Sequence, residues 1–251
     1  MITVGIDVGS ITAKAAVVED DQLKTVEVQP SGYDSQKAAG SVFDAVLDRL
    51  KMKRDHLQAV VATGYGRRNV SFADRVVTEI TCHAKGAHFI DATIRSVIDI
   101  GGQDSKVIRL NENGKVLDFA MNDKCAAGTG RFLEVMARAL EIDLARFGSM
   151  SLQAKAPASI SSMCTVFAES EVISLISRGE RRENIVAGIH DAIAARVVSM
   201  AKRVKIEAPV MMTGGVAKNS GLVRALENRL NHKICIADTA QTMGAIGAAL
   251  L

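Results

Sequence analysis

The amino-acid sequence predicts an α/β protein made of two related halves around a cleft, and three observations support this. Residues 6–18 (IDVGSITAKAAVV) and 98–110 (IDIGGQDSKVIRL) align without gaps at an offset of 92 residues, which indicates an internal duplication. Each segment begins with an apolar strand ending in Asp, turns at a Gly, and continues as a second β-rich run. Helical periodicity alternates with further strand candidates along the rest of the chain.

The remaining elements follow the duplicated segments in both halves. Strands are predicted at 23–29, 58–63, 115–120 and 208–213, and helices at 36–50, 131–141, 166–177, 184–205 and 218–230. In the helix over 184–205, an apolar residue recurs at every fourth position, at Ile185, Ile189, Ile193 and Val197. We expect domains at 1–94 and 95–251, with the apolar helix 240–251 able to pack back on the first half.

Composition and charge exclude several classes of protein. The 251 residues are 48% hydrophobic and 24% charged, as in ordinary globular proteins, and a net charge of +3 gives no basis for nucleic-acid binding. No apolar stretch approaches the roughly 18 residues of a membrane span, and the N-terminus lacks a signal-peptide pattern. Four scattered cysteines do not form a disulfide framework. We therefore expect a cytoplasmic protein with reduced thiols and no membrane partner.

The duplicated Asp–Gly turns predict a phosphate clamp with Mg²⁺. A Gly turn lets backbone N–H groups approach a phosphate, and Asp7 and Asp99 can hold Mg²⁺ through waters. Gln103 in the second turn can orient an attacking water. The first turn also offers hydroxyl groups and a cation, from Ser10, Thr12 and Lys14. The alternative is that both aspartates only cap turns, which the duplication disfavours.

A third Gly motif lies in MMTGGVAKN, residues 211–219, again between a predicted strand and a predicted helix. Two adjacent glycines permit the close approach of a flat group such as adenine or ribose. The alternative is an ordinary strand-to-helix turn.

Together these three motifs resemble the acetate kinase–Hsp70–actin–sugar kinase superfamily, whose two ribonuclease-H-like halves bind ATP in the cleft between them. The segments ATGYGR (62–67), DIGGQDSKVI (99–108), MNDKCAAGTGRFLEV (121–135) and SSMCTVFAESEVISL (161–175) narrow the resemblance. They are similar to the ATP-dependent activators of 2-hydroxyacyl-CoA dehydratases, a group that includes the ATPase subunits of benzoyl-CoA reductases. The match spans nearly the whole chain.

The resemblance implies a homodimeric iron–sulfur ATPase with one bridging [4Fe–4S] cluster, which uses MgATP to drive an electron onto a partner dehydratase or reductase. A ferredoxin or flavodoxin would be the electron donor, and ADP the product. The cluster ligands would be Cys125 and Cys164, and the catalytic residues Asp7, Asp99 and Gln103. The nucleotide would contact Ser10, Ile11, Thr12, Ala13, Lys14, Gln103, Asp104, Gly214, Gly215 and Gln241.

The chemistry of the cysteines is compatible with that implication. A cubane cluster takes four thiolates, so two cysteines per chain suffice if two chains meet at a two-fold axis. Cys125 and Cys164 each precede a predicted helix, and helix N-termini favour an anionic group. Cys82, beside His83 in a probable helix, and Cys235, in a strand-like segment, are interpreted as core residues.

Two other functions remain open from the sequence. A small-molecule kinase of the same superfamily would need an Asp base, for which the candidate is Asp104. A nucleotide-dependent scaffold like the actin-like proteins would leave the two cysteine segments without a purpose.

Overall fold

The computed structural model describes residues 1–161 and 164–251, and it confirms an α/β fold with two similar halves. Over these residues there are ten strands and eight α-helices. The strands are β1 (Ile2–Val8), β2 (Thr12–Glu19), β3 (Gln22–Pro30), β4 (Ala59–Thr63), β5 (Arg75–Val76), β6 (Ser96–Ile100), β7 (Ser105–Leu110), β8 (Val116–Asn122), β9 (Val210–Thr213) and β10 (Ile234–Cys235). The helices are α1 (Ser35–Leu50), α2 (Glu79–Ile90), α3 (Gly130–Ala139), α4 (Leu144–Ser151), α5 (Thr165–Ser177), α6 (Arg182–Val204), α7 (Ser220–Leu230) and α8 (Met243–Ala249).

The duplication extends to the topology of the two sheets. The first sheet has the strand order β3-β2-β1-β4-β5, and the second repeats it as β8-β7-β6-β9-β10. In the first sheet β1 pairs antiparallel with β2 and parallel with β4. The central strand of each sheet is therefore the one that ends in the duplicated Asp–Gly turn.

Helix α1 covers one face of the first sheet. It begins after Asp34, whose carboxylate accepts hydrogen bonds from the backbone N–H groups of Gln36 and Lys37, a strong N-cap. Its apolar face is buried with strand residues in one core cluster, which includes Val42 and Val46. Burial of such a stripe, rather than helix propensity alone, stabilises the helix.

Helix α8 lies close to β1 and α2 because glycines remove the intervening side chains. A Cβ on Gly247 would overlap the carbonyl oxygen of Cys82 in α2, and a Cβ on Gly5 would overlap that of Ala245. The helix is shorter than the predicted 240–251, since residues 240–242 form a 3₁₀ turn before it.

Helix α6 is the longest helix described, and its predicted apolar face is confirmed: Ile185, Ile189, Ile193 and Val197 are all fully buried. Helix α4, by contrast, was not predicted. Its eight residues, LARFGSMS, include Gly and two Ser that lower helix propensity, and the helix depends on an Asp143 cap and on packing.

The chain divides into two compact units. One contains Met1–Val97, Ile108–Asp118 and Ala237–Leu251, and the other Ile98–Val107 and Phe119–Ile236. Among the described residues, no helix combines the length and apolarity required to cross a bilayer.

One core assignment is wrong: Cys235 is exposed rather than buried. It lies in the two-residue edge strand β10, where side chains alternate between faces, so Ile234 is buried and Cys235 points outward. Cys82 is buried in α2, as predicted, and burial raises the pKa of its thiol to about 12.

Candidate functional site

The first Asp–Gly turn follows β1 and is built around an ion pair. Asp7 and Lys14 are opposite each other in the antiparallel ladder of β1 and β2, and Lys14 Nζ lies 3.1 Å from Asp7 Oδ2. Both side chains are largely buried. Lys14, the cation predicted to contact a phosphate, therefore has a carboxylate partner within its own turn.

The tip of this turn is held by backbone hydrogen bonds. The Gly9 N–H donates to Thr12 O at 3.1 Å, and Ser31 after β3 donates its N–H to Ile11 O at 2.9 Å. Ser10, at the tip, is half-buried. Ala13 is fully buried with its side chain in the core cluster, so only its backbone remains for a ligand.

The second turn repeats this geometry at the same offset of 92 residues. The Gly101 N–H donates to Asp104 O at 3.0 Å, as Gly9 does to Thr12. Lys106 Nζ lies 2.9 Å from Asp99 Oδ2 and 2.8 Å from Asp104 Oδ2, and its side chain is only 2% exposed. Lys106 thus holds two carboxylates at once. Lys106 was assigned no role from the sequence.

Two Thr-Gly pairs complete the equivalence; from the sequence, Gly214 was predicted, but neither the threonines nor the match between the two pairs was recognised. Gly64 follows β4 and Gly214 follows β9, with φ of +85° and +86°, a backbone region that favours Gly. A Cβ on Gly64 would overlap Asp7 Oδ1, and one on Gly214 would lie 2.9 Å from Asp99 Oδ1. Thr213 Oγ1 donates to Asp99 Oδ1 at 2.8 Å. The shared letters T-G in ATGYGR and MMTGGV were the available signal.

The other predicted nucleotide contacts lie in different parts of the chain. Gln103 is exposed at the tip of the second turn. Gly215 begins the 3₁₀ turn over Gly215–Lys218, directly after β9. Gln241 is half-buried in the 3₁₀ turn before α8, in the unit that contains the first turn.

Cys125 is exposed in the loop between β8 and α3. Asn122, the last residue of β8, donates through its amide nitrogen to Cys125 O at 2.8 Å and Ala127 O at 3.1 Å. Thr129, fully buried, donates to Ala126 O at 2.7 Å through its hydroxyl. The loop is therefore tied at both ends by buried or partly buried polar groups.

Cys164 is exposed at the N-cap position of α5. Its motif, residues 161–175, includes residues 162 and 163, which lie outside the described ranges. Val166 and Phe167, in the first turn of α5, are each about two-thirds exposed, at 68% and 67%. Within residues 1–161 and 164–251, no three His, Cys, Asp or Glu side chains of this chain are grouped to hold a metal ion.

The first two amides of α3 bind the second Asp–Gly turn. The Gly130 N–H donates to Gly101 O at 2.9 Å and the Arg131 N–H to Gly102 O at 2.8 Å. These two bonds connect the second Asp–Gly turn to α3, which directly follows the cysteine loop.

Two sheets of one topology, each with an Asp–Gly turn backed by a Lys and a Gly, define the actin-like class of ATPases. The chain belongs to the BadF/BadG/BcrA/BcrD ATPase family, whose model matches residues 4–251.

Similar proteins cover the chain from end to end. The activator of lactoyl-CoA dehydratase from Anaerotignum propionicum is 49% identical over 254 residues, covering 100% of this chain and 96% of the relative. Component A of (R)-2-hydroxyglutaryl-CoA dehydratase from Acidaminococcus fermentans has a TM-score of 0.96 at 44% identity, over 100% of this chain and 96% of its own. The activator of 2-hydroxyisocaproyl-CoA dehydratase from Clostridium difficile, solved with bound ADPNP, has a TM-score of 0.94 at 47% identity. The match covers 100% of this chain and 93% of that protein.

Proposed function

We propose that this protein is a homodimeric iron–sulfur ATPase that couples ATP hydrolysis to low-potential one-electron transfer onto a partner dehydratase or reductase. The observation that carries the proposal is the combination of two matching Asp–Gly turns with an exposed cysteine at each proposed ligand position, Cys125 and Cys164, in a chain whose relatives activate dehydratases. The electron donor would be a ferredoxin or a flavodoxin.

The two turns bind the phosphates of MgATP in this proposal. The Asp7 and Asp99 carboxylates would hold Mg²⁺, and Lys14 and Lys106 keep those carboxylates oriented. Exposed Gln103 orients the attacking water at the γ-phosphate. Gly214, Gly215 and Gln241 are assigned to the nucleoside. Preorganised polar groups of this kind lower the barrier to phosphoryl transfer by positioning and charge stabilisation.

The cysteines present fit a bridging cluster. Cys125 and Cys164 are exposed thiols, whereas Cys82 is buried, and burial raises its thiol pKa to about 12, which disfavours the thiolate that a metal requires. Two thiolates from each of two chains complete a four-thiolate shell. A cluster held there supplies one-electron redox chemistry.

The competing kinase function is disfavoured because its candidate catalytic base is already in an ion pair. Asp104 was the candidate, and its carboxylate is 2.8 Å from Lys106 Nζ, in an ion pair within the turn. A general base must accept a proton from the substrate hydroxyl, and a carboxylate already held by a buried cation is poorly suited to do so.

Anaerobic reconstitution followed by iron and acid-labile sulfide analysis tests the proposal. We expect about four irons per dimer and a brown chromophore. The variants Cys125→Ala and Cys164→Ala should each lose the chromophore, and the matched control Cys235→Ala should keep it. Full absorbance in Cys125→Ala, or no iron in the reconstituted wild type, would contradict the ligand assignment.

The partner is tested separately. Reduced protein with MgATP should transfer one electron to a dehydratase captured anaerobically from the same cells, and ATP hydrolysis should be required. Transfer without ATP, or with an analogue that is not hydrolysed, would overturn the coupling.

A further inference from the structure

We propose that His83 of α2 is a positioning residue for Asp7, which it holds as a second partner beside Lys14. The proposal rests on the proposed function, because it takes Asp7 as a carboxylate that holds Mg²⁺. It gives a role to a buried histidine that lies outside the Asp–Gly turns and outside the cysteine segments.

His83 lies on the face of α2 that packs against the start of α8. Gly86, one turn further along α2, is so close to α8 that a Cβ on it would overlap the Met243 carbonyl oxygen. The next residue of α8 is Gly244, where a Cβ would lie 3.0 Å from His83 Nε2 and 3.0 Å from Asp7 Oδ2. The imidazole and the carboxylate therefore border the same gap, and their two atoms are separated by no more than twice that distance.

The chemistry of the two groups fixes the direction of the contact between them. An ionised carboxylate only accepts hydrogen bonds, so the imidazole is the donor and carries its proton on Nε2. Across this gap, Nε2 reaches Asp7 Oδ2 directly or through one bridging water. Asp7 is 5% exposed and His83 6%, and a carboxylate buried to this extent is costly unless it is both paired and hydrogen-bonded.

The second half shows such a carboxylate with two partners. Asp99 accepts a hydrogen bond from the lysine of its own turn at 2.9 Å and another from Thr213 Oγ1 at 2.8 Å. In the part of the chain that the structure describes, Thr63 follows the corresponding strand of the first half, and its buried hydroxyl makes no hydrogen bond to Asp7. The first half therefore takes its second donor from elsewhere, and His83 is placed to supply it.

This arrangement predicts an effect on the metal and not on the nucleotide alone. Hydrogen-bond partners that orient a metal-binding carboxylate typically change metal affinity by about 10- to 100-fold when they are removed. Because His83 acts through Asp7, its loss should weaken the contribution of Mg²⁺ to nucleotide binding. Binding of metal-free nucleotide should stay unchanged.

Calorimetry of ADP binding to the iron-free protein tests the proposal, once in EDTA and once in saturating Mg²⁺. The ratio of the two dissociation constants measures what the metal contributes to binding. For His83→Leu we expect the affinity for MgADP to fall by about tenfold or more and the affinity for ADP in EDTA to equal that of wild type. A merely structural defect would weaken both.

Two polar replacements keep the test decisive if His83→Leu does not fold. Glutamine places an amide nitrogen the same number of bonds from the backbone as the imidazole Nε2, so His83→Gln should keep most of the Mg²⁺ contribution. Asparagine is one bond shorter, so His83→Asn should lose that contribution despite its polarity. His88→Leu is the matched control on the same helix, since the His88 ring lies against Gly114 instead, and it should behave as wild type.

The outcomes separate this inference from the proposed function. If wild type binds MgADP and His83→Asn binds it equally well, the positioning role is wrong and the ATPase assignment stands. Equal losses of ADP and MgADP affinity in the His83 variants, or a wild type whose ADP affinity does not depend on Mg²⁺, also overturn the role and leave nucleotide binding intact. If wild type binds neither ADP nor MgADP, the proposed function itself is wrong.

Discussion

At the scale of single residues, the four cysteines differ sharply in environment, and this difference is what the cluster proposal depends on. Cys82 is fully buried, whereas Cys125, Cys164 and Cys235 are exposed. Sequence spacing could not separate Cys82 from Cys235, because both lie in apolar segments. The short edge strand, which only the fold reveals, decided the exposure of Cys235.

The first prediction follows from this difference. Iodoacetamide at pH 8 should modify Cys125, Cys164 and Cys235 in native, iron-free protein and spare Cys82, since burial raises the pKa of that thiol to about 12. Mass spectrometry after a timed quench gives the extent at each site. In guanidinium all four cysteines should react. If Cys82 in the native protein were modified as fast as the other three cysteines, its burial in α2 would be contradicted.

The second prediction concerns the buried lysines behind the two turns. Lys106→Met leaves Asp99 and Asp104 without their shared cation, and we expect a loss of about 3 kcal/mol or more in the free energy of unfolding. Lys14→Met is the matched variant in the first turn. It removes a single ion-pair partner, that of Asp7, at a site more exposed than Lys106, and it should cost less. Urea titration measures both; an equal or reversed ranking would contradict the difference in burial.

At the scale of elements, a buried polar cluster joins α4, α6 and the start of α7. His190 Nδ1 is 2.9 Å from Ser151 Oγ and Nε2 is 3.1 Å from the Asn219 amide nitrogen. Because Asn219 Oδ1 accepts from the Leu222 N–H, its amide nitrogen is the donor, so His190 donates through Nδ1. Phe147 contacts the ring edge-on.

The third prediction is the pH dependence that this cluster produces. Burial lowers the pKa of His190 from 6.5 to about 3, so below pH 6.5 the unfolded chain binds a proton that the folded chain does not. The contribution of His190 to stability is therefore present above pH 6.5 and lost as the pH falls toward 3. The slope approaches about 1.4 kcal/mol per pH unit.

Urea unfolding between pH 7 and 5 checks this slope, above the range where most carboxylates titrate. His190→Gln cannot titrate and should lack the slope, although its stability at pH 7 is lower. A wild-type slope equal to that of the variant would rule out the buried, neutral histidine.

The fourth prediction concerns the glycine contact between α2 and α8. Gly247→Ala forces a Cβ onto the Cys82 carbonyl, and we expect destabilisation of about 1–3 kcal/mol. Gly40→Ala, within α1, places a Cβ in open space and should stabilise by up to about 1 kcal/mol through helix propensity. Thermal and urea unfolding measure both changes, and a neutral Gly247→Ala would show that the helices are not in contact there.

At the scale of the whole molecule, the sequence predicted the repeated architecture because the two halves share amino-acid identities at matching positions as well as the same fold. The Asp, Gly and Lys positions of both turns repeat at one offset, so the two sheets could be anticipated. Helix α4 could not, since its eight residues carry little periodicity and its stability comes from tertiary packing. The hydrogen bonds from α3 to the second turn could not be predicted from the sequence either. They join backbone groups of residues nearly 30 positions apart, and no pattern of side chains specifies such partners.

The central claim is that two chains share one cluster, each giving Cys125 and Cys164. Anaerobic native mass spectrometry of the reconstituted protein tests it most directly, because the mass reports chain number and cluster content together. The account predicts a dimer carrying one four-iron, four-sulfur unit, and a cluster-free species for Cys125→Ala. A monomer that retains its own cluster, or a wild-type dimer without iron after reconstitution, would contradict it.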